Sequence, residues 1–438
     1  MLEELQSGPY QRAKENKDAL FNTLHDKIYR MDVLEEAWKI VSENKGTAGI
    51  DRQSISDIET AGVDQFLAGI QSELRKGTYK AECVRRVFIP KANGKKRPLG
   101  IPTVRDRIVQ QAVKLIIEPI FEADFKEFSY AYRKGKSAKE ASQEIYKWMN
   151  FGLTTVIDID IQGFFDHLDH ELLISFVKKR VRDGYVISLI MQWLKAGVVY
   201  MNTTTNPIEG TPQGGVISPL LANIYLNELD HAWTDMGMDS NSGQNAHMVR
   251  YSDDLVILTN SPRSAFFKGK AHAENVMNVL KSILKGLKMN LSPEKSRITT
   301  AEEGFDFLGF HFMRKQSKER EKEVTLFFPS KRSKSSFMRK ASEITHRNHA
   351  HTKSEDDVIN ELNLLIRGWT GYFNHSHASR VYSGLWNFVC FRVTQFMRYQ
   401  HKRRHLAIDY IKLRSRGLLP LNGRIEHLYS IDPGEVPR

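Results

Sequence analysis

Two rhythms of apolar and polar residues run along this chain, and they mark where strands and helices are expected. From Val156 to Ile161 apolar and acidic residues alternate, so a strand there puts Asp158 and Asp160 on one face and Ile157, Ile159 and Ile161 on the other. Further on, Met248-Val249 and Leu255-Val256-Ile257-Leu258 flank Tyr251-Ser252-Asp253-Asp254, which reads as an apolar hairpin with two aspartates at its tip. Val84 to Pro90 and Pro98 to Pro102 read as strands joined by a basic turn around Gly94. Helical spacing instead links Val33, Leu34, Ala37, Trp38 and Val41, with Asp32 as the expected cap, and continues over Arg105–Ile117 and from Glu171 to Val177 behind Asp169. Strand-like text ends near Phe328-Pro329. Beyond it, Ser354-Glu355-Asp356-Asp357 reads as an acidic capping box, followed by Val358, Leu362, Leu365, Trp369 and Tyr372 at helical spacing. The elements imply an α+β fold with a polar N-terminal extension over residues 1–30, a mixed region over 31–315 and an all-helical region over 316–438.

The 438 residues exceed one ordinary core, so more than one domain is expected. A hydrophobic fraction of 41% and a charged fraction of 26% are those of a soluble globular chain. Apolar runs such as Val186-Ile187-Ser188-Leu189-Ile190-Met191 are far short of the roughly 18 residues a spanning helix needs, so no membrane partner is expected. Met1-Leu2-Glu3-Glu4-Leu5-Gln6 lacks the basic head and apolar core of a secretory signal. Two cysteines, Cys83 and Cys390, support neither a disulfide framework nor a cysteine-based zinc site. A reducing cytoplasmic compartment is the expectation. Charge adds a partner class. Residues 331–438 hold 19 Lys+Arg against 9 Asp+Glu, a net of +10 out of +12 for the whole chain. Such asymmetry points to a polyanion, and the aromatics among the basic residues Arg392, Arg398, Lys402, Arg403 and Arg404 suit RNA.

Adjacent aspartates repel unless a cation lies between them, so the Asp253-Asp254 tip and the Asp158/Asp160 face together point to a divalent metal site. Carboxylates from two neighbouring strands could clamp two Mg²⁺ ions for in-line phosphoryl transfer. The plain alternative is an acidic surface turn. Ile89 to Pro102 places Lys91, Lys95, Lys96 and Arg97 on one short hairpin, where Lys91 and Arg97 could neutralise a triphosphate; a solvated basic turn is the competing reading. Gly210-Thr211-Pro212-Gln213-Gly214-Gly215 runs into an apolar helix, and Gln213 could bond a sugar or base.

The order of these segments resembles the group II intron-encoded reverse transcriptase/maturase family from about Met31 to about Arg414. The resemblance is carried by Lys45 to Asp51, the basic hairpin, Asp160-Ile161-Gln162-Gly163-Phe164-Phe165-Asp166, Gly210 to Gly214, Tyr251 to Asp254, Phe307-Leu308-Gly309-Phe310 and Arg367-Gly368-Trp369-Thr370-Gly371-Tyr372-Phe373. It implies a right-hand polymerase, with fingers, an antiparallel palm sheet and a helical thumb called domain X. By the same resemblance Asp160, Asp253, Asp254 and the Ile161 carbonyl bind Mg²⁺, with Mn²⁺ as a substitute, while Asp158 supports them. Lys91, Arg97 and Gln213 would bind the incoming nucleotide, and Phe165 would crowd a ribose 2′-OH; a plain core phenylalanine is the other reading of that residue. Implied partners are an RNA template, a DNA or RNA primer, deoxynucleotides and an intron RNA, in the bacterial cytoplasm with RNA or the nucleoid. The basic stretch Lys402, Arg403 and Arg404 is the expected nucleic-acid grip.

The departures are specific. Ser252 stands where the intron enzymes usually have alanine, and Ser129-Tyr130-Ala131-Tyr132-Arg133-Lys134-Gly135 replaces the usual Ser-Tyr-Gly-Phe-Arg-Pro-Gly. No cysteine pairs or nuclease signature follow the helical region, so the endonuclease domain of some relatives is expected to be missing. His346, His349, His351, His375 and His377 lack a metal-ligand spacing, and loop or RNA-facing roles are expected of them. Other readings of the same residues are a host-recruited reverse transcriptase serving phage defence, spacer acquisition or DNA repair, a catalytically inactive RNA-binding splicing factor, and an RNA-dependent RNA polymerase.

Overall fold

The computed structural model describes residues 2–90, 94, 96–200, 203–205, 210, 214–239, 245–260, 269–317, 322–402 and 407–421. Five helices open the chain: α1 (Leu2–Glu15), α2 (His25–Ile28), α3 (Met31–Glu43), α4 (Ile55–Ala61) and α5 (Val63–Lys76). The hairpin β1 (Val84–Pro90) and β2 (Lys96–Ile101) follows, then α6 (Val104–Glu122) and α7 (Ala138–Asn150). Most of α6 is buried, its polar Asp106, Arg107, Gln110 and Gln111 included, and α1 and α3 pack along it. Its buried Asp106 accepts from Tyr79 Oη at 2.6 Å and from the Glu82 amide at 3.0 Å, so both carboxylate oxygens are hydrogen-bonded.

The central stretch comprises β3 (Thr155–Asp160), α8 (His170–Val177), α9 (Gly184–Leu194), β4 (Val198–Tyr200), β5 (Thr203–Thr205), α10 (Ser218–Asp235), β6 (Ala246–Tyr251), β7 (Asp254–Thr259), α11 (Gly269–Gly286) and β8 (Arg297–Thr300). A four-stranded antiparallel sheet is ordered β6-β7-β3-β8, and a second sheet is ordered β2-β1-β4-β5, with β1 and β4 parallel. The first sheet is buried on both sides. Ile157, Ile159, Leu255 and Ile257 enter the core built around α6 and α10, whereas Val156, Val249, Val256 and Leu258 enter a second core shared with α7 and the C-terminal helices. Each such side chain contributes about 1.5–3 kcal/mol, which fixes the register, since a slip of one residue would exchange the two faces.

After β9 (Phe305–Phe307), β10 (Phe310–Gln316) and β11 (Glu323–Pro329) come α12 (Lys331–Ile344), α13 (Glu355–Phe373), α14 (Ser379–Gln400) and α15 (Tyr410–Ser415). The capping box expected at Ser354 is present: Asp357 N donates to Ser354 Oγ at 3.1 Å and Ser354 N to Asp357 Oδ2 at 2.9 Å. Asp32 is not the cap of α3. Arg30 holds that position, and the Asp32 carboxylate instead accepts from Arg30 Nε at 3.0 Å and Nη2 at 2.9 Å within the first turn, where negative charge suits the helix dipole. His375 and His377 turn inward: His375 is buried against Phe310, and the His377 ring packs on Phe327.

The 1–30 segment is tied down from below. Arg180, paired with Asp124, donates to the carbonyls of Ala13, Asn16 and Ala19, and Phe21 forms a bridge with Val181.

Candidate active site

Pairing of β3 with β7 puts Asp160 directly opposite Asp254, and pairing of β6 with β7 puts Tyr251 opposite Asp254, so Ser252 and Asp253 form the turn between them. Ser252 adopts φ 60°, the left-handed conformation of such a tight turn. Alternation then places Asp158, Asp160 and Asp254 on the sheet face that carries Val156 and Val256. The carboxylates occupy the end of that face where the second core stops.

A buried ion pair fixes the turn from behind. Arg250 and Asp230 are both fully buried and bonded bidentately, with Arg250 Nε donating to Asp230 Oδ1 at 2.8 Å. Arg250 Nη1 also donates to Ser252 O at 3.3 Å and Asn223 Oδ1 at 3.4 Å. Removing one member of such a pair would strand the other charge, at a cost of about 3–5 kcal/mol.

The field at the acidic end is negative. Burial first, then Asp253, Asp160 and Asp158, push the Asp254 carboxyl up to about 6. Burial and then Asp160 raise Asp253, with Arg97 pulling it down. Asp158 is raised mainly by burial, against its 3.6 Å ion pair with Arg297. Asp160 accepts from Lys295 Nζ at 2.9 and 3.0 Å, a contact that sequence reasoning missed because a lysine in a Ser-Pro-Glu-Lys turn carries no periodicity. The Asp160 carbonyl accepts from Ser292 N at 2.8 Å, and Ile161 beside it is buried and bridged to Leu291.

As these side chains stand, no three His, Cys, Asp or Glu among the described residues are gathered tightly enough to hold a metal ion. The donor set nevertheless fits a hard divalent cation: it is all carboxylate oxygen, and its members raise one another's pKa.

Phe165 lies in a short 3-10 turn, Phe164–Asp166, just after β3 and is half-buried with its ring 5.2 Å from that of Phe164. Gly210 closes on this turn at φ 86°, where an added Cβ would stand 2.9 Å from Phe165 O and 2.7 Å from Asp166 O. Gly214, at φ 118°, would meet Gly100 O on β2 at 2.6 Å, so the glycine-rich loop touches both the Phe165 turn and the basic hairpin. Val216 N donates to Gln110 Oε1 on α6 at 2.8 Å and fixes the far end of that loop. Arg97, opposite Ile89, is exposed on β2 and within electrostatic reach of Asp253. Lys91 and Gln213 lie outside the described residues, as do Arg403 and Arg404.

Lys402 is exposed just past the end of α14, at φ 53°. Near it, His401 and Arg416 both engage Glu355, so that end of the helical region is mixed in charge. On α12, by contrast, Lys331, Arg332, Lys334, Arg339 and Lys340 are all exposed, and among the described residues only Arg339 is ion-paired, with Glu343 at 3.8 Å.

Residues 89–312 match the family described as reverse transcriptase (RNA-dependent DNA polymerase), and residues 334–411 match the group II intron maturase-specific domain. The chain is 34% identical to Protein YkfC of Escherichia coli (strain K12) over 339 residues, covering 70% of this chain and 87% of that protein. It is 38% identical to the group II intron-encoded protein LtrA of Lactococcus lactis subsp. cremoris over 221 residues, which is 50% of this chain and 36% of that protein. A putative COX1/OXI3 intron 2 protein of Saccharomyces cerevisiae is 26% identical over 68% of this chain and 40% of its own length. The chain thus spans most of YkfC and only about a third to two-fifths of the two intron proteins. It belongs to the reverse transcriptase (RNA-dependent DNA polymerase) family, in the group II intron-encoded branch that carries a maturase-specific domain.

Proposed function

We propose that this chain copies an RNA template into DNA by adding deoxynucleotides to the 3′-hydroxyl of a DNA or RNA primer, and that it also binds an intron RNA. The observation that carries the reading is the direct cross-strand pairing of Asp160 with Asp254, with Asp253 in the adjoining turn. Asp160, Asp253 and Asp254, with the Ile161 carbonyl, would hold Mg²⁺ or Mn²⁺. When bound, these ions would lower the pKa of the primer hydroxyl and neutralise charge on the triphosphate. Phosphoryl transfer needs little else from a protein than positioning and charge.

The chain's own residues supply that positioning. Arg97, on a hairpin contacted by Gly214, would neutralise the triphosphate together with Lys91. Phe165 would crowd a ribose 2′-OH, and Gln213 would bond the sugar or base. In this reading the β1–β2 hairpin belongs to the fingers, the β6-β7-β3-β8 sheet is the palm, and α12 to α15 form the thumb of a right hand. The divisions 1–30, 31–315 and 316–438 are kept in this reading, but 316–438 is not all-helical as expected, because β11 lies within it and the second seam cuts the β10–β11 hairpin. The exposed cations of α12, followed by Lys402, Arg403 and Arg404, would grip nucleic-acid backbone. No helix among the described residues is long and apolar enough to cross a membrane, and a bacterial cytoplasmic setting with RNA fits the charge.

Primer extension on an RNA template tests the reading. The double substitution Asp253→Asn and Asp254→Asn should keep the fold, because it removes repulsion, yet abolish extension with Mg²⁺. A double variant that still extends the primer would remove these residues from the chemistry.

A further inference from the structure

Beside the acidic turn stands an aromatic residue to which metal binding and ribose exclusion give no role. The segment that carries it, Phe128–Arg133, is strapped to the edge strand β6: Arg250 N donates to Phe128 O at 2.8 Å, and Tyr130 N donates to Arg250 O at 2.9 Å. Asn223 Nδ2 donates to Ala131 O at 2.8 Å, while Asn223 Oδ1 accepts from the same Arg250 guanidinium that holds Ser252 O. On the other side Arg133 is buried, bonded to Glu122 Oε1 at 3.0 Å and to the carbonyls of Lys126 and Ser129 at 2.6 Å. One polar frame therefore positions both this segment and the catalytic turn.

Tyr132 stands out from that frame. Tyr130, Ala131 and Arg133 are buried, whereas Tyr132 is 50% exposed. Its backbone has φ 59°, which a bulky side chain rarely adopts and which persists only where the surroundings impose it. Its phenol lies within electrostatic reach of Asp253, Tyr251 and Arg97 and interacts with the side chain of Ser252 in the turn. A phenol carries its proton at neutral pH and so can donate a hydrogen bond.

We propose that Tyr132 is a positioning residue for the incoming nucleotide: its hydroxyl donates a hydrogen bond to a phosphate oxygen of the triphosphate, between Arg97 on β2 and Asp253 in the turn. The inference rests on the polymerase reading above. A donor beside a guanidinium suits an anionic oxygen, and holding it in a strained, strapped segment avoids the entropy of ordering a side chain at each turnover.

The test compares Tyr132→Phe and Tyr132→Ala with wild type in single-nucleotide incorporation, and in the reverse reaction with inorganic pyrophosphate as the probe. Tyr132→Phe keeps the ring and its space, and thermal denaturation would verify its fold. Loss of a hydrogen bond to a charged oxygen should raise KM for both deoxynucleotide and pyrophosphate by about tenfold, with kcat and primer-template affinity little changed. Unchanged KM values in Tyr132→Phe overturn the inference. So does a pattern in which only Tyr132→Ala loses affinity, and for primer-template alone, which would assign the ring to stacking on the primer. A wild-type protein that extends no primer would instead overturn the underlying polymerase reading.

Discussion

Asp254 bears the cost of gathering carboxylates at one end of a sheet. Its folded-state carboxyl takes up a proton near pH 6, whereas an ordinary aspartate waits until 3.8. Because the folded pKa is the higher one, the stabilisation from that proton is complete below about 3.8 and is lost as pH rises through about 6. The side chain is exposed by surface area even though dense protein surrounds its carboxyl, so solvent screening discounts the effect on stability. In metal-free protein Asp254→Asn should therefore raise the melting temperature above pH 6 by on the order of 2 °C, and the difference should vanish below about pH 4. Mg²⁺ should stabilise wild type more than the variant. Thermal denaturation across pH, in chelator and in Mg²⁺, measures both, and an Asn variant less stable than wild type at pH 8 without metal would contradict the assignment. The opposed aspartates were legible because strict alternation fixes which face a residue takes. Lys295, Arg250 and Tyr132 were not, since their partners come from distant segments and no local period announces them. Asp32 was misread because a helix-start aspartate serves equally as a cap or as a first-turn charge.

Between elements, the glycine-rich loop decides how closely the Phe165 turn and the basic hairpin approach. Gly210 and Gly214 both have positive φ, and both press on backbone that cannot swing aside. Gly210→Ala should shift the Phe165–Asp166 backbone while leaving the aspartates in place, at a stability cost of about 1–3 kcal/mol. If Phe165 excludes ribonucleotides, the variant should incorporate them more readily relative to deoxynucleotides than wild type does. A stable, active variant with an unchanged ratio would return Phe165 to a packing role. The glycines of this loop were readable as a close approach, but not what they approach. The same holds for Phe307-Leu308-Gly309-Phe310 and Arg367 to Phe373, which the chain separates by almost sixty residues. In the fold Tyr372 Oη donates to Leu308 O at 3.0 Å, Ser333 Oγ to Gly309 O at 2.8 Å, and the rings of Phe310 and Phe373 lie 4.9 Å apart. The two motifs form one joint between sheet and helices.

Across the whole molecule, charge is separated from chemistry: the acidic site lies on the central sheet, and +10 of the net +12 belongs to residues 331–438. The sequence located that excess but not where it is concentrated. Around Lys402 it is partly offset by Glu355, whereas the first turns of α12 present Lys331, Arg332 and Lys334 with no acidic residue in the first turn. The positive end of the helix dipole adds to the attraction for phosphate there. Each cation withdrawn from a phosphate should flatten the plot of log K against log salt by roughly 0.7–0.9. The triple variant Lys331→Gln, Arg332→Gln and Lys334→Gln should thus flatten it by roughly 2, given that a neighbouring cation partly substitutes, while Lys402→Gln should change it by less than about 1. Both variants should still extend a primer at saturating primer-template, because neither alters the aspartates. Equilibrium binding of an RNA–DNA duplex across a salt series reads the slopes, and a larger flattening from Lys402→Gln than from the α12 triple would move the grip to the end of α14.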